Sequence, residues 1–268
     1  MQCLRQRFVT SSKLKAEFVT AHGRQISLQT IRNRLREASL RPYEAALGPK
    51  LEVNHRRARL EFARDHLPWG EDQWRNILFS DESRFCLHTN DRRVRVYRRP
   101  RERYAQCNFK ETVSYGGGSV MVWGGISLEA KTDLVFVERL TADRYITEIL
   151  EPHVVPFALA IGDGFIFMHD NARPHTARVV REYLADSEIS VMDWPARSPD
   201  LNPIEHIWDH MGKRAREAVN PPQNLQELRL EINQIWHNID QQLIRNLILS
   251  MPNRCQTTIV ARGGNTRY

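Results

Sequence analysis

Cysteine is scarce in this chain, with four among 268 residues: Cys3, Cys86, Cys107 and Cys255. They lie far apart and form neither a CxxC pair nor a zinc-ligand spacing, so they read as reduced, packed thiols rather than as a disulfide scaffold or a zinc module. Long apolar runs are missing as well. No segment approaches the roughly 18 consecutive apolar residues that a bilayer crossing requires. The first residues, Met1-Gln-Cys-Leu-Arg-Gln-Arg-Phe8, lack the apolar core of a secretory signal. Internal repeats and low-complexity stretches are absent too. The expectation is a soluble intracellular chain with no membrane partner. With 41% hydrophobic and 26% charged residues, the composition excludes a wholly disordered or collagen-like polymer. The length allows one or two domains with a substantial core.

Acidic charge is what the N-terminal quarter has little of. The whole chain carries 39 Lys+Arg against 32 Asp+Glu, a formal charge of +7. Residues 1–67 hold fourteen basic and six acidic side chains, so the remainder is close to neutral. A small basic head before a neutral body fits a polyanion-binding element, and charge alone fits a solvated helical surface equally well.

The clearest helical segment of the head runs from Ile26 to Leu40. Ser27 is the expected N-cap, and Leu28, Ile31, Leu35 and Ala38 recur at helical spacing to form one apolar stripe. Gln29, Asn33 and Arg36 then face away from that stripe, with Arg32 and Arg34 on its flanks, and such a face is able to meet DNA. Ser12 to Ala21 is expected to form a partner helix, with His22-Gly-Arg-Gln25 as the turn. That is the outline of a helix-turn-helix, whose second helix enters the major groove.

Pro42 to Pro49 reads as a connector, followed by a basic helix from about Glu52 to His66 and a break at Pro68-Trp-Gly70. The expected organisation is a partial helix-turn-helix region over 1–48, a linker with the basic helix over 49–70, and a larger domain over 71–268. Within that domain Trp74–Ser80, Arg84–His88, Val94–Tyr97, Ser119–Ile126, Leu134–Val137, Phe165–Met168 and Ile189–Met192 read as strands. Helical patterns follow at about 143–160, 175–185 and 203–218, with two more after Pro221-Pro222. Strands in succession, then alternating with helices, predict an α/β fold: a mixed sheet flanked by helices.

Three acids stand where such a sheet builds sites. Asp81 follows Ile77-Leu-Phe-Ser80, and Asp170 follows Phe165-Ile-Phe-Met-His169, so both are expected at C-terminal strand ends, where the ligands of open sheets collect. Glu205 lies in the first turn of a helix after Ser198-Pro-Asp-Leu-Asn-Pro203. Carboxylate oxygens are the preferred ligands of Mg²⁺, and a pair of such ions stabilises both the entering and the departing oxygen of an in-line phosphoryl displacement. Each acid taken singly also has a structural explanation. Asp81 and Asp170 fit turn positions after strands, and Glu205 fits the acid half of a capping box with Asn202 as N-cap and Pro203 at N1.

The words Phe79-Ser-Asp-Glu-Ser-Arg-Phe85, Val120-Met-Val-Trp-Gly-Gly-Ile126, His169-Asp-Asn-Ala-Arg-Pro-His-Thr176 and Trp194-Pro-Ala-Arg-Ser-Pro-Asp-Leu-Asn-Pro-Ile-Glu-His-Ile-Trp208 decide between these readings. Together they resemble the catalytic domain of the Tc/mariner superfamily of DNA transposases, and thirty-four positions separate Asp170 from Glu205, as in its Tc branch. The resemblance runs from about Arg24 to the C-terminus. It implies a ribonuclease-H-like fold with a small all-helical head, and a DDE triad of Asp81, Asp170 and Glu205 binding two Mg²⁺ (or Mn²⁺) ions. It further implies cut-and-paste transposition: strand cleavage at terminal inverted repeats of double-stranded DNA, then attack of the freed 3′-hydroxyl on target DNA, commonly at TA dinucleotides. A homodimer bridging two DNA ends and a nuclear location are implied in the same way.

Other residues stay open at this point. Asn171 and His175 are candidates for orienting Asp170 or for contacting DNA, and His175 also for capping the next helix. His206 and His210 share a helix face without a third ligand, so no zinc site is expected. Gly116-Gly-Gly118 reads as a turn before a strand. Arg92 to Arg103 holds seven arginines and one glutamate, which suits either a phosphate clamp or a charged edge strand. Members of the superfamily carry two helical DNA-binding subdomains ahead of the catalytic region, and this chain has about forty residues there. The expectation is an N-terminally shortened copy. The alternatives to an active transposase are a catalytically silent, transposase-derived DNA-binding protein and a nuclease of the same fold acting on RNA–DNA hybrids or branched DNA.

Overall fold

The computed structural model describes residues 9–42, 48–87, 118–218 and 220–268, and the chain divides into two units, Met1–Gly48 and Pro49–Tyr268. In the first unit, α1 (Ser11–His22) is capped by Thr10, whose side chain accepts from the Lys13 N–H. Helix α2 (Leu28–Glu37) is capped by Ser27, whose hydroxyl accepts from the Thr30 N–H at 3.0 Å. Both caps satisfy amide donors that the first helical turn leaves free. Leu14, Phe18 and Ala21 of α1 share a cleft with Ile31 and Leu35 of α2. Neither helix buries a residue completely, because two short amphipathic helices have too little apolar surface to close a core.

The second unit begins with α3 (Val53–His66) and α4 (Glu71–Arg75). Among the described residues its strands are β1 (Ile77–Cys86), β2 (Ser119–Ile126), β3 (Val135–Val137), β4 (Ile166–Met168) and β5 (Ser190–Val191), in the order β3-β2-β1-β4-β5. Strand β1 runs antiparallel to β2 and parallel to β4; β3 is antiparallel to β2, and β5 is parallel to β4. The sheet is therefore mixed, as the run of strands followed by alternation predicts.

Strand β1 departs from expectation. The polar word Ser80-Asp-Glu-Ser83 reads as a break between two short strands, yet the chain passes straight through it. Every residue from Phe79 to Cys86 is in register with β2, from Ile126 back to Ser119. A complete ladder satisfies the backbone, and local propensity yields to it.

A continuous helical run follows β3: α5 (Ala142–Tyr145), a wide-turned π segment (Ile146–Val154) and α6 (Val155–Ile161). Pro152 lies in the π segment, where its missing N–H leaves the usual helical bond unmade. Next come α7 (Arg178–Asp186), a 3₁₀ turn (Pro199–Leu201) and α8 (Ile204–Glu217). The tail holds three helices where two are expected: α9 (Leu225–His237), α10 (Gln241–Ile248) and α11 (Met251–Val260). Asp240 caps α10 separately by accepting from the Gln242 N–H, and Pro252 opens α11.

Helices cover both sheet faces. Ile77, Phe79 and Phe85 of β1 join a core with Trp208, Met211 and Trp236 from α8 and α9. Leu78 and Trp123 point the other way, into a second core with Tyr145, Ile149 and Leu184. Gly124 of β2 lies under α8 and α9, and a methyl group there would stand 2.9 Å from the Trp236 ring and 3.1 Å from that of Trp208. The expected strand Val94–Tyr97 and the arginine run 92–103 lie outside the described residues.

Candidate active site

Asp81 sits in the middle of β1, not at its end. Its parallel neighbour β4 pairs only with Ile77, Leu78 and Phe79, so Asp81 emerges where β1 outruns β4. The Ser80 hydroxyl closes that edge by donating to the Met168 carbonyl at 2.8 Å. Alternation along the strand puts Asp81 on the Phe79 face and Glu82 on the Leu78 face. Asp170 follows β4 by two residues, at the mouth of the same gap. Glu205 lies in the first turn of α8. All three acids line one cleft of about 310 Å³, together with Asn171, Trp194, Arg197, Ser198 and Asn202.

Each acid is held differently. Asp81 Oδ2 accepts from the Trp208 indole N–H at 3.2 Å, and Trp208 is stacked on Trp236 with ring centroids 5.4 Å apart. Asp170 Oδ1 accepts from the Ala172 N–H and from His175 Nδ1, both at 2.8 Å. Among the described residues Glu205 has no hydrogen bond to its carboxylate. Asn202 does the capping instead: its Oδ1 accepts from the Ile204 N–H, and its Nδ2 donates to the Ser80 carbonyl, each at 3.3 Å. The capping-box explanation of Glu205 therefore fails, and the side chain is left free in the cleft.

The electrostatics separate the three acids. Burial, reinforced by the charges of Glu205, Glu82 and Asp170, holds the Asp81 carboxyl well above the usual carboxylate range. Burial, with Asp209 and Asp170 adding to it, pushes Glu205 up to about 7. Burial acts the same way on Asp170, but the hydrogen bonds from His175 and the Ala172 N–H outweigh it and leave its pKa lowered. His175 itself is driven up to about 10, because its hydrogen bond to Asp170 and the nearby Glu82 carboxylate overcome burial. Its Nε2 stands 3.3 Å from Glu82 Oε1. His169 stacks on it at 5.1 Å and receives the Tyr145 hydroxyl at 3.0 Å. Burial and the His175 charge lower His169 to about 3, which keeps that ring neutral.

Three oxygen-donor side chains in one cleft, two of them with raised pKa, suit a hard divalent cation that would relieve their repulsion. Among the described residues no group of three His, Cys, Asp or Glu side chains is arranged closely enough to hold a metal ion.

Comparison with known proteins gives the family. A family described as "Transposase", of helix-turn-helix type, matches residues 2–68, and "DDE superfamily endonuclease" matches residues 76–229. The Tcb2 transposable element transposase of Caenorhabditis briggsae is 39% identical over 251 residues, covering 90% of this chain and 88% of that protein. The chain belongs to the Tc1/mariner transposase family. The Tcb1 transposase of the same organism is 36% identical over 266 residues, covering 97% of this chain and 94% of its own length. Among solved structures, the Mos1 mariner paired-end complex with Mn matches with a TM-score of 0.77 at 21% identity, covering 99% of this chain and 78% of that one. That likeness shows the ribonuclease-H-like fold.

In this Tc1/mariner transposase the sequence-expected residues fall into distinct places. Asp81, Asp170 and Glu205 share the cleft. Asn171 lines it and donates from Nδ2 to the Trp194 carbonyl at 2.7 Å, tying the turn after β4 to the loop before Glu205. His175 is only 2% exposed. It orients Asp170 from behind and does not offer a DNA-contacting surface, and Ala177, not His175, precedes α7. Gln29, Arg32, Asn33 and Arg36 are exposed on α2 of the first unit, and Gln29 Nε2 donates to Asn33 Oδ1 at 2.9 Å. His206 faces Arg254 and His210 lines a different cleft, so they do not meet around a metal. Glu82, Trp208 and Asn202 were missed as site residues. The strand alternation beside Asp81 is the signal that finds Glu82, and the cap position before Pro203 marks Asn202, though only as a helix cap; nothing local marks Trp208.

Proposed function

We propose that this transposase cuts double-stranded DNA at transposon terminal repeats and joins the freed 3′-hydroxyl to target DNA, using Mg²⁺ or Mn²⁺ held by Asp81, Asp170 and Glu205. The observation that carries this reading is the convergence of three acids from β1, the turn after β4 and α8 on one cleft. When bound, a pair of such ions supplies charge stabilisation for both oxygens of an in-line displacement. The protein supplies the placement. Trp208 fixes one oxygen of Asp81, and His175 fixes one of Asp170. Glu205 keeps a carboxylate that is free to complete the set.

The exposed α2 face of Gln29, Arg32, Asn33 and Arg36 reads the repeat, and the head over 1–48 serves as the DNA-binding region. Arg32→Gln is expected to weaken duplex binding uniformly across sequences and to lower the salt slope by about one. A homodimer on paired DNA ends and a nuclear site of action belong to the same reading.

The test is nicking of a labelled duplex carrying the element's terminal repeat, with Mg²⁺, with Mn²⁺ and with EDTA. Wild type should nick only with a divalent ion. Asp81→Asn, Asp170→Asn and Glu205→Gln should each lose at least about a hundredfold in rate while retaining duplex binding. Normal cutting by any of the three would remove that residue from the site. A wild type that binds the repeat but never cuts it would establish the catalytically silent reading instead.

A further inference from the structure

Asp200 is an acid that the cleft does not use. It sits at the centre of the 3₁₀ turn Pro199–Leu201, just before the helix that carries Glu205. Its oxygens are saturated by residues far away in the chain. Arg59 of α3 is fully buried and donates from Nη1 to Oδ1 and from Nη2 to Oδ2, each at 2.7 Å. Thr266 adds its N–H and its hydroxyl to Oδ2, at 2.9 and 2.8 Å. The Asp200 carbonyl accepts from Arg254 Nη1 at 2.8 Å, and Arg254 Nη2 reaches His206 Nδ1, beside Glu205, at 3.3 Å. The C-terminal segment closes the network. The carbonyls of Gly263 and Gly264 accept from Arg59, both at 3.0 Å, and the Tyr268 ring lies 4.8 Å from the Arg254 guanidinium. Gly263 has φ +73°, and a methyl group there would fall 2.0 Å from the Arg56 carbonyl oxygen, so only glycine lets this segment lie against α3.

We infer that Arg59, Arg254 and residues 263–266 form a brace that positions Glu205 for capture of a divalent cation. The inference rests on the metal-dependent reading given above. The turn is pinned from two sides: the brace holds Asp200, and Asn202 holds the carbonyl of Ser80, the residue before Asp81. Glu205 follows within three residues of that second pin. Stability alone does not call for this chemistry, since a buried ion pair is often replaceable by apolar side chains of similar size at little cost. A fixed orientation does call for it, because a bidentate fork between planar groups sets direction as well as distance. Arg59, Asp200, Arg254 and Thr266 are positioning residues that touch neither cation nor DNA.

The experiment uses the full chain and measures Mn²⁺ binding by titration calorimetry in parallel with nicking. The double variant Arg59→Met/Asp200→Leu removes the fork while filling its space. It should fold, bind Mn²⁺ about tenfold to a hundredfold more weakly than wild type, and need correspondingly more Mn²⁺ for half-maximal nicking. Thr266→Val removes one donor from the same carboxylate and should weaken Mn²⁺ binding about threefold with little change in melting temperature. A folded double variant with wild-type Mn²⁺ affinity overturns the brace. Should the double variant fail to fold, unchanged Mn²⁺ affinity in Thr266→Val overturns it instead. Failure of the functional reading looks different: wild type itself would neither bind Mn²⁺ nor nick.

Discussion

Asp200 and Glu205 stand five positions apart on either side of Asn202 and meet opposite conditions. Asp200 is buried, yet the bonds from Arg59 and Thr266 outweigh burial and lower its pKa. Glu205 is less enclosed but has acids for neighbours, and burial with Asp209 and Asp170 raises it to about 7. One short segment therefore carries a fully compensated carboxylate and an uncompensated one. The compensated acid fixes the turn, and the uncompensated acid is the one that the proposed function assigns to the cation. Unfavourable local electrostatics at one residue persist because the residues around it are over-determined.

Three measurements bear on that contrast. The largest expected effect is on the compensated side. Asp200→Asn strands the buried Arg59 guanidinium and should cost about 3–5 kcal/mol in urea denaturation at neutral pH. Because the folded pKa of Asp200 is lowered, its contribution is complete above the unfolded value near 4 and is lost as pH falls through the folded value. The gap between wild type and variant should thus close in acid, and a constant gap would mean that the charge is irrelevant.

On the proposed function, divalent ions should act on the other side. Mn²⁺ at about a hundred times its dissociation constant should stabilise wild type by about 2.7 kcal/mol and Glu205→Gln by much less, as read from thermal melts. Equal stabilisation of the two would place the ion elsewhere. The smallest effect is the release of repulsion. Glu205 has a raised folded pKa, so its penalty is absent below the unfolded value near 4.5, grows towards pH 7 and is complete above it. With EDTA at pH 8, Glu205→Gln should be more stable than wild type by about 1–2 kcal/mol, and at pH 4 the two should coincide. A variant that is less stable than wild type at pH 8 would break the contrast.

Much of this was legible in the sequence. The apolar runs gave the sheet, Ser27 marked the start of its helix, and the acids at element ends, with the family resemblance of the motif words, singled out Asp81, Asp170 and Glu205, which line one cleft. What was not legible depended on distant partners. Ser80-Asp-Glu-Ser83 looks like a turn until β2 is laid beside it, and Asp81 then moves from a strand end to a strand middle. His175 looks like a polar contact residue, yet Glu82, Tyr145 and His169 enclose it from elements far apart in the chain. Asp200 reads as one letter of a turn motif, while its meaning lies in Arg59 and Thr266, which no local pattern connects to it. The third tail helix was hidden because the apolar residues on both sides of Ser250 run on as one helical pattern.

The glycine at position 124 acts on Asp81 through Trp208. Asp81 faces Gly124 across the β1–β2 ladder, and the two stacked indoles rest where a side chain at that position would project. The missing methyl is thus a seat for Trp208, and the seat aims its N–H at the aspartate. An alanine there would press on both indole rings and shift Trp208 by a few tenths of an ångström, so the aim of an acid on one strand is tuned by an empty place on the next.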